Sequence, residues 1–190
     1  MTSASTGPAR PVGVNHLVLN VRDIEASHRF YTDILGFERV VEADLGTPMW
    51  FYRSGPGHHH DIALAQVKDP ADQPEPDERW RASARRAGVN HIAIAYPDRD
   101  SFVQQLTHLQ AMDVPISLRG NHGMTHSAYI TDPDGNGIEV LYELPAEVWE
   151  GDLPTAMMYF EKLPKEGPEM LEDRIDVPTF PARPEGAARS

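Results

Sequence analysis

The pattern of apolar and polar positions divides the chain into two successive blocks with the same order of elements. Each block opens with a run rich in branched apolar residues, at positions 14–21 and 89–95, which predicts a strand. An acidic capping residue and apolar positions spaced three and four apart then predict a half-buried helix. Three further strands are expected in each block, at residues 37–42, 49–53 and 61–67 and at residues 116–118, 127–131 and 137–142.

The start of each block carries the same motif. Gly-Val-Asn-His occurs at residues 13–16 and again at residues 88–91. The offset of 75 residues is too long for a solenoid repeat and fits one half of a duplicated α+β domain. We therefore predict two tandem βαβββ modules that form a cupped, partly closed mixed sheet. A pseudo-twofold axis between the modules would bring His16 and His91 toward a common centre.

Proline-rich and charged stretches mark the predicted boundaries of the domain. The extension that follows the domain contains apolar residues, which we expect to pack on the domain or on a second subunit. We predict an N-terminal tail at 1–11, a domain at 12–144 made of modules 12–68 and 87–144 with a linker at 69–86, and a C-terminal extension at 145–190.

Composition and charge narrow the classes of partner. The formal net charge of −12 disfavours nucleic acid and anionic membranes as partners, because both would repel such a surface. The chain has no cysteine, which excludes disulfides, thiolate nucleophiles and cysteine-bound zinc. No signal-like or membrane-spanning apolar run is apparent in the sequence. We expect a cytoplasmic homo-oligomer that acts on a small molecule.

One carboxylate completes a candidate metal site. Glu139 lies among apolar residues of the last predicted strand, where burial is costly unless the carboxylate is paired or binds a metal. With His16 and His91 it forms a set of two histidines and one carboxylate, which suits non-heme Fe(II) and leaves other coordination positions open. Alignment of the two blocks places Ala63 where the second block has Glu139. We therefore expect three protein ligands, with room for a bidentate substrate and dioxygen.

Two longer motifs carry a family resemblance. Residues 30–37 read Phe-Tyr-Thr-Asp-Ile-Leu-Gly-Phe, and residues 132–139 read Asp-Pro-Asp-Gly-Asn-Gly-Ile-Glu. With the repeated histidine, these segments resemble the vicinal oxygen chelate superfamily, which includes glyoxalases, bleomycin resistance proteins and dioxygenases. Within it, residues 12–142 look like the one-domain type I extradiol catechol dioxygenases. The motifs imply a fold and a ligand set, which lyases, epimerases and thiol transferases share.

Three further residues resemble those that act on substrate in extradiol enzymes. His60 precedes the last strand of the first block, and Tyr129 lies ten residues before Glu139. His122 precedes Tyr129, and His126 is the alternative to His122. The resemblance implies that Tyr129 hydrogen-bonds a substrate oxygen and that His60 takes up and returns a proton, with His122 assisting. It also implies Fe(II), or alternatively Mn(II), as cofactor and an aromatic diol and O₂ as substrates.

The predicted function is extradiol cleavage of a catechol or substituted catechol, a step of aromatic catabolism. Two alternatives stay open. Another metal-dependent enzyme of the superfamily, such as a lyase or a manganese-dependent transferase, is disfavoured by Ala63 and by the lack of an obvious basic cluster for a phosphonate. A non-enzymatic protein that sequesters an aromatic drug is disfavoured because a metal-free cup does not need His16, His91 and Glu139.

Overall fold

The computed structural model describes residues 11–73, 76, 88–173 and 179–182. The predicted N-terminal tail therefore lies outside the described residues, apart from its last position. Most of the predicted linker and the larger part of the chain beyond Asp173 also lie outside them.

The first module has the predicted βαβββ order. Its elements are β1 (Leu17–Val21), α1 (Ile24–Arg29), β2 (Glu38–Asp44), β3 (Pro48–Arg53) and β4 (Ile62–Gln66). The Asp23 carboxylate caps α1 by accepting hydrogen bonds from the backbone N–H groups of Glu25 and Ala26. The helix continues as a π-helical turn over Phe30–Ile34. Gly36, with a φ of +82°, then ends it in the left-handed conformation that glycine adopts readily.

The second module repeats this order. Its elements are β5 (Ile92–Ala95), α2 (Arg99–Ala111), β6 (Leu118–Asn121), β7 (Thr125–Thr131) and β8 (Gly137–Glu143). Asp98 caps α2 by accepting a hydrogen bond from the backbone of Ser101. The helix ends before Pro115, because Asp113 has a φ of +54° and already turns the chain away.

The extension after the second module forms short helices and one short strand. Its elements are α3 (Ala146–Trp149), a 3₁₀ turn (Glu150–Asp152), α4 (Leu153–Met158), β9 (Glu161–Lys162) and α5 (Glu169–Glu172). A further 3₁₀ turn, Pro70–Asp72, follows the first module. None of the described helices is long and apolar enough to cross a membrane.

The strands form two separate sheets. The strand order is β1-β4-β3-β2 in the first sheet and β5-β8-β7-β6-β9 in the second. In each module the first and last strands pair in parallel, and the other pairs are antiparallel. The α+β class and the duplicated module are confirmed. The described sheets are open, whereas the sequence suggested one partly closed sheet.

The two parallel strand pairs share one register. Val18 on β1 lies opposite Ala63 on β4, and Ala93 on β5 lies opposite Glu139 on β8. Val18 and Ala93 each follow the repeated histidine by two residues. Ala63 and Glu139 therefore occupy equivalent positions, as the alignment of the two blocks predicted.

A polar turn of the second module fastens the helix of the first. The turn at 132–136 joins β7 to β8. Its Asp132 carboxylate accepts a hydrogen bond from the hydroxyl of Tyr31, and its Asp134 carboxylate accepts one from the hydroxyl of Ser27. Tyr31 and Ser27 are fully buried. These contacts set the position of the first module relative to the second.

Candidate metal centre

A cluster of polar side chains surrounds His91 at the start of β5. The Nε2 atom of His91 lies 2.9 Å from Oε2 of Glu139. Glu139 is only 6% exposed, so the strand buries a carboxylate among apolar residues. On the other edge of the ring, Nδ1 of His91 lies 2.7 Å from the amide oxygen of Asn90.

This arrangement suits a bound cation. A ring nitrogen that faces an amide oxygen donates its proton to it, so Asn90 fixes the proton of His91 at Nδ1. Nε2 then directs a lone pair toward the Glu139 carboxylate, and two acceptors so close repel unless a proton or a metal ion lies between them. Metal–ligand bonds of about 2.1 Å at right angles put neighbouring ligand atoms about 3 Å apart. The observed nitrogen–oxygen separation fits that requirement.

A hydrogen-bonded chain leads away from the carboxylate. The hydroxyl of Tyr129 donates to Oε1 of Glu139 at 2.8 Å and lies 2.9 Å from Nε2 of His122. The Tyr129 hydroxyl has one proton, which it uses to donate a hydrogen bond to Glu139. The His122 ring therefore donates its own N–H to the tyrosine oxygen. Burial and the adjacent Glu139 carboxylate raise the pKa of Tyr129 far above its ordinary value. Burial lowers the pKa of His122, and the charge of Glu139 offsets this in part.

The equivalent histidine of the first module has different neighbours. The Nδ1 atom of His16 lies 2.7 Å from the amide oxygen of Asn15, which repeats the pairing of Asn90 with His91. His16 is exposed, and its ring centroid lies 4.5 Å from that of His60. A cleft of about 230 Å³ is lined by His16, by Leu17 at the start of β1 and by all four residues of β5. His16 of the first module therefore opens on a cleft that β5 of the second module shares.

His60 lies in a group of histidines beside this cleft. Its Nδ1 atom is 2.6 Å from Nδ1 of His59, and its ring packs edge-on against Phe51. Burial lowers the pKa of His60, and the charges of His59 and His16 lower it further. His60 is therefore neutral at pH 7 and able to accept a proton.

The predicted site residues fall into two groups in this structure. His91, Glu139, Tyr129 and His122 meet in the second sheet, and His16 and His60 meet in the first. Within the part of the chain that the structure describes, no three histidine, aspartate or glutamate side chains converge as a metal site. The set of three ligands from both modules stays a prediction.

His126, the alternative to His122, lies in another cluster. It is fully buried, and its Nδ1 atom lies 3.0 Å from the carboxylate of Asp173. The same carboxylate pairs with the buried guanidinium of Arg119 and accepts a hydrogen bond from Tyr142. Burial would raise the pKa of Asp173, but the hydrogen bond and charge of His126, with the charge of Arg119, hold it below its ordinary value.

Two features escaped the sequence analysis. Asn15 and Asn90 orient the repeated histidines, and their presence in the repeated four-residue motif was the available signal. The cluster around Asp173 had no local signal, because Asp173 lies 47 residues from His126 and 54 from Arg119 along the chain.

Fold and sequence together define the class of protein. The family model of the Glyoxalase/Bleomycin resistance protein/Dioxygenase superfamily matches residues 13–140. The chain belongs to this superfamily.

Individual relatives differ in activity. A catechol-2,3-dioxygenase of Bacillus subtilis is 27% identical over 73% of this chain and 44% of its own length. The chain therefore matches less than half of that relative. A lactoylglutathione lyase of Pseudomonas putida is 29% identical over 69% of this chain and 85% of its own length.

Solved structures show the same fold. A glyoxylase/bleomycin resistance protein/dioxygenase domain from Frankia sp. EAN1pec superposes with a TM-score of 0.58 at 20% identity. The match covers 71% of this chain and all of that domain.

Proposed function

We propose that the chain is an extradiol dioxygenase that inserts O₂ into a catechol or a substituted catechol. The observation that carries this proposal is the hydrogen-bonded chain from His122 through Tyr129 to Glu139, beside His91. It places a neutral phenol and a neutral imidazole next to a buried carboxylate of a metal-binding type. A diol that loses one proton and keeps the other needs such a set of donors and acceptors. The catechol-2,3-dioxygenase relative supports the same class of reaction.

His16, His91 and Glu139 would hold Fe(II), with Mn(II) as the alternative. When bound, the metal supplies Lewis acidity toward the diol oxygens and a path for electrons between diol and O₂. The repeated asparagine–histidine pairs support both histidines, because each pair keeps the proton on Nδ1 and leaves Nε2 for a metal. Ala63, at the position equivalent to Glu139, supports a site with three protein ligands.

Tyr129 is the residue that would hold the substrate oxygen. Its raised pKa keeps the hydroxyl protonated at neutral pH, so it can both donate and accept. Its hydroxyl already has an acceptor, Glu139, and a donor, His122. A diol oxygen that enters this chain would hydrogen-bond to Tyr129, and His122 would hold or release the proton exchanged with it.

His60 would act from the side of the first module. It is neutral at pH 7, since its pKa is lowered, and it lies next to His16. It would accept a proton from the diol and return it when the oxygen–oxygen bond breaks. His122 rather than His126 belongs to the site in this proposal, because His126 is enclosed with Asp173 and Arg119.

The test is anaerobic reconstitution with Fe(II), followed by air in the presence of catechol or 2,3-dihydroxybiphenyl. We expect a yellow ring-opened product and the loss of one O₂ for each diol. Protein loaded with redox-inactive Zn²⁺ is the control and should form no product. Retained iron without oxygen uptake on either diol would contradict the dioxygenase proposal.

A metal-dependent lyase is the second candidate. It is favoured by the lactoylglutathione lyase relative, because this chain matches 85% of that protein's length. Formation of lactoylglutathione by the metal-loaded protein, without oxygen uptake on a diol, would support the lyase. Ala63 argues against this candidate if the lyase needs a fourth protein ligand at that position.

A further inference from the structure

Phe160 of the C-terminal extension lies on the face of the second sheet that carries Tyr129 and Glu139. Tyr129 pairs with Glu139 on β8 and with Leu118 on β6, so these three side chains share one face. Gly120 follows Leu118 by two residues and lies on that face too. The ring of Phe160 occupies the space above Gly120. A Cβ atom at Gly120 would come within 2.5 Å of Cε2 of Phe160.

The same ring packs against His122. The two ring centroids are 5.2 Å apart at an interplanar angle of 48°. His122 keeps its Nε2 atom directed to the hydroxyl of Tyr129. Phe160 is nevertheless 50% exposed, although it is a large apolar side chain. It therefore presents free apolar surface immediately beside the polar groups that would bind a diol.

The extension that carries Phe160 is attached to β6 at two places. Directly after Phe160, β9 pairs with β6, with Lys162 opposite Gly120. Farther along, Asp173 is locked to Arg119, which projects from β6 to the opposite face of the sheet. β6 is thus bound by two parts of the extension. A side chain fixed in this way is suited to form the wall of a binding site.

We propose that Phe160 is a substrate-contacting residue that binds the ring carbons of the aromatic diol. The proposal rests on the proposed function, because it takes an aromatic diol as the ligand of Tyr129. The polar groups of the site recognise the two oxygens, and the exposed ring of Phe160 packs on the apolar part of the same molecule. Aromatic pairs prefer such offset or edge-on contacts, which add to the gain from burying apolar surface. Selection among substituted diols would depend on this wall.

Two substitutions test the wall in different ways. Phe160→Ala removes the ring, and we expect catechol to bind about tenfold more weakly, with kcat nearly unchanged. Gly120→Ala keeps the ring but pushes it away, and we expect a similar loss. In the double variant, which carries both Phe160→Ala and Gly120→Ala, the added methyl group has no ring to displace. Gly120→Ala should therefore weaken catechol binding no further. Met158→Ala is the control, because Met158 lies in the same segment and is 85% exposed.

The experiment is calorimetric titration of the anaerobic Fe(II) protein with catechol, alongside KM and kcat from oxygen uptake. Weaker binding in both single variants, with the control unchanged and the double variant no weaker than Phe160→Ala, supports the proposal. Equal affinity of wild type and Phe160→Ala overturns it, and so does a wild type that binds no catechol. Binding that depends on Phe160 without oxygen uptake would overturn the dioxygenase function and leave this proposal standing. If Phe160→Ala took up oxygen with the same KM for catechol as the wild type, the dioxygenase function would stand and the proposal for Phe160 would be overturned.

Discussion

The two modules have the same fold and the same histidine, but they give that histidine different surroundings. In the first module His16 is exposed and lies beside His60, and the equivalent strand position carries Ala63. In the second module His91 faces the buried carboxylate of Glu139. In the proposed metal site, one position on the last strand thus separates a module that supplies one ligand from a module that supplies two. The duplicated fold sets which positions could hold a ligand, and the side chain at each position decides whether it could coordinate a metal.

The second module also contains what a buried carboxylate needs. An ionised carboxylate is costly to bury without hydrogen bonds or a cation. One oxygen of Glu139 accepts a hydrogen bond from the hydroxyl of Tyr129, and the other faces His91. Ala63, which is fully buried, has no corresponding requirement. The modules therefore differ in the burial of a carboxylate as well as in the number of ligands proposed for each.

Among the substitutions considered, Glu139→Gln should have the largest effect, because it removes the carboxylate that distinguishes the second module from the first. We expect loss of metal retention and a fall in activity of more than about a hundredfold, beyond what is typical for groups that only orient a ligand. Metal content after gel filtration and oxygen uptake measure this. Glu143→Gln, an exposed position on the same strand, should change neither. Full metal content in Glu139→Gln would remove Glu139 from the ligand set.

The ion pair of Asp173 with Arg119, which ties the extension to the second module, gives the next largest effect. Asp173→Asn should lower the free energy of unfolding by about 3 kcal/mol at pH 7, because it leaves the buried Arg119 without its counter-charge. Urea titration measures this loss of unfolding free energy. Glu169→Gln is the control, because Glu169 is exposed.

This stabilisation depends on pH in a definite direction. The pKa of Asp173 is lower in the folded protein than in the unfolded chain. Its carboxylate therefore stabilises the fold fully above about pH 4 and progressively less as the pH falls through the folded-state pKa. The difference in stability between wild type and Asp173→Asn should shrink toward pH 2. A difference that grows on acidification would contradict this account.

Placing a carboxylate at the equivalent position of the first module tests whether that module can bury one. We expect Ala63→Glu to destabilise the metal-free protein by about 2 kcal/mol, because the position is fully buried. Thermal unfolding in the presence of a chelator measures the loss. Ala65→Glu, two residues along the same strand and only half-buried, should cost less. Equal losses at the two positions would show that burial does not distinguish them.

The smallest effect is expected for the hydroxyl of Tyr129. Tyr129→Phe should keep the metal and slow turnover about tenfold, since one hydrogen bond to the substrate oxygen is lost. Steady-state oxygen uptake, with metal content measured in parallel, tests this. Tyr96→Phe removes a hydroxyl that donates to a backbone carbonyl outside the site and should leave turnover unchanged. Unchanged turnover in Tyr129→Phe would exclude it from the mechanism.

Local patterns in the sequence were enough to predict the fold. Alternation and helical spacing located the two βαβββ units. The repeated Gly-Val-Asn-His motif aligned one unit with the other. The structure confirms that alignment, because Ala63 and Glu139 pair with equivalent positions of β1 and β5. The separation into two open sheets was not predictable from these patterns. It depends on packing between the modules, which the periodicity of a single strand or helix does not reveal.

The surroundings of the site depended on contacts distant in sequence. The choice between His122 and His126 needed the bounds of β7, because the predicted strand began only at residue 127. His126 belongs to β7 and lies three residues before Tyr129, so its ring occupies the opposite face of the sheet. The place of Phe160 depends on β9 adding to the edge of the second sheet, and two residues of strand carry no readable period.

The polar turn at 132–136 has a consequence for the order in which the chain folds during synthesis. The first module leaves the ribosome first, yet the hydroxyl of Tyr31 finds its acceptor only when Asp132 has been made. Tyr31 is fully buried in the complete chain. A nascent first module would therefore have to leave this phenol in water or bury it unsatisfied, which is costly. The helix of the first module reaches its final packing only after the second module has emerged.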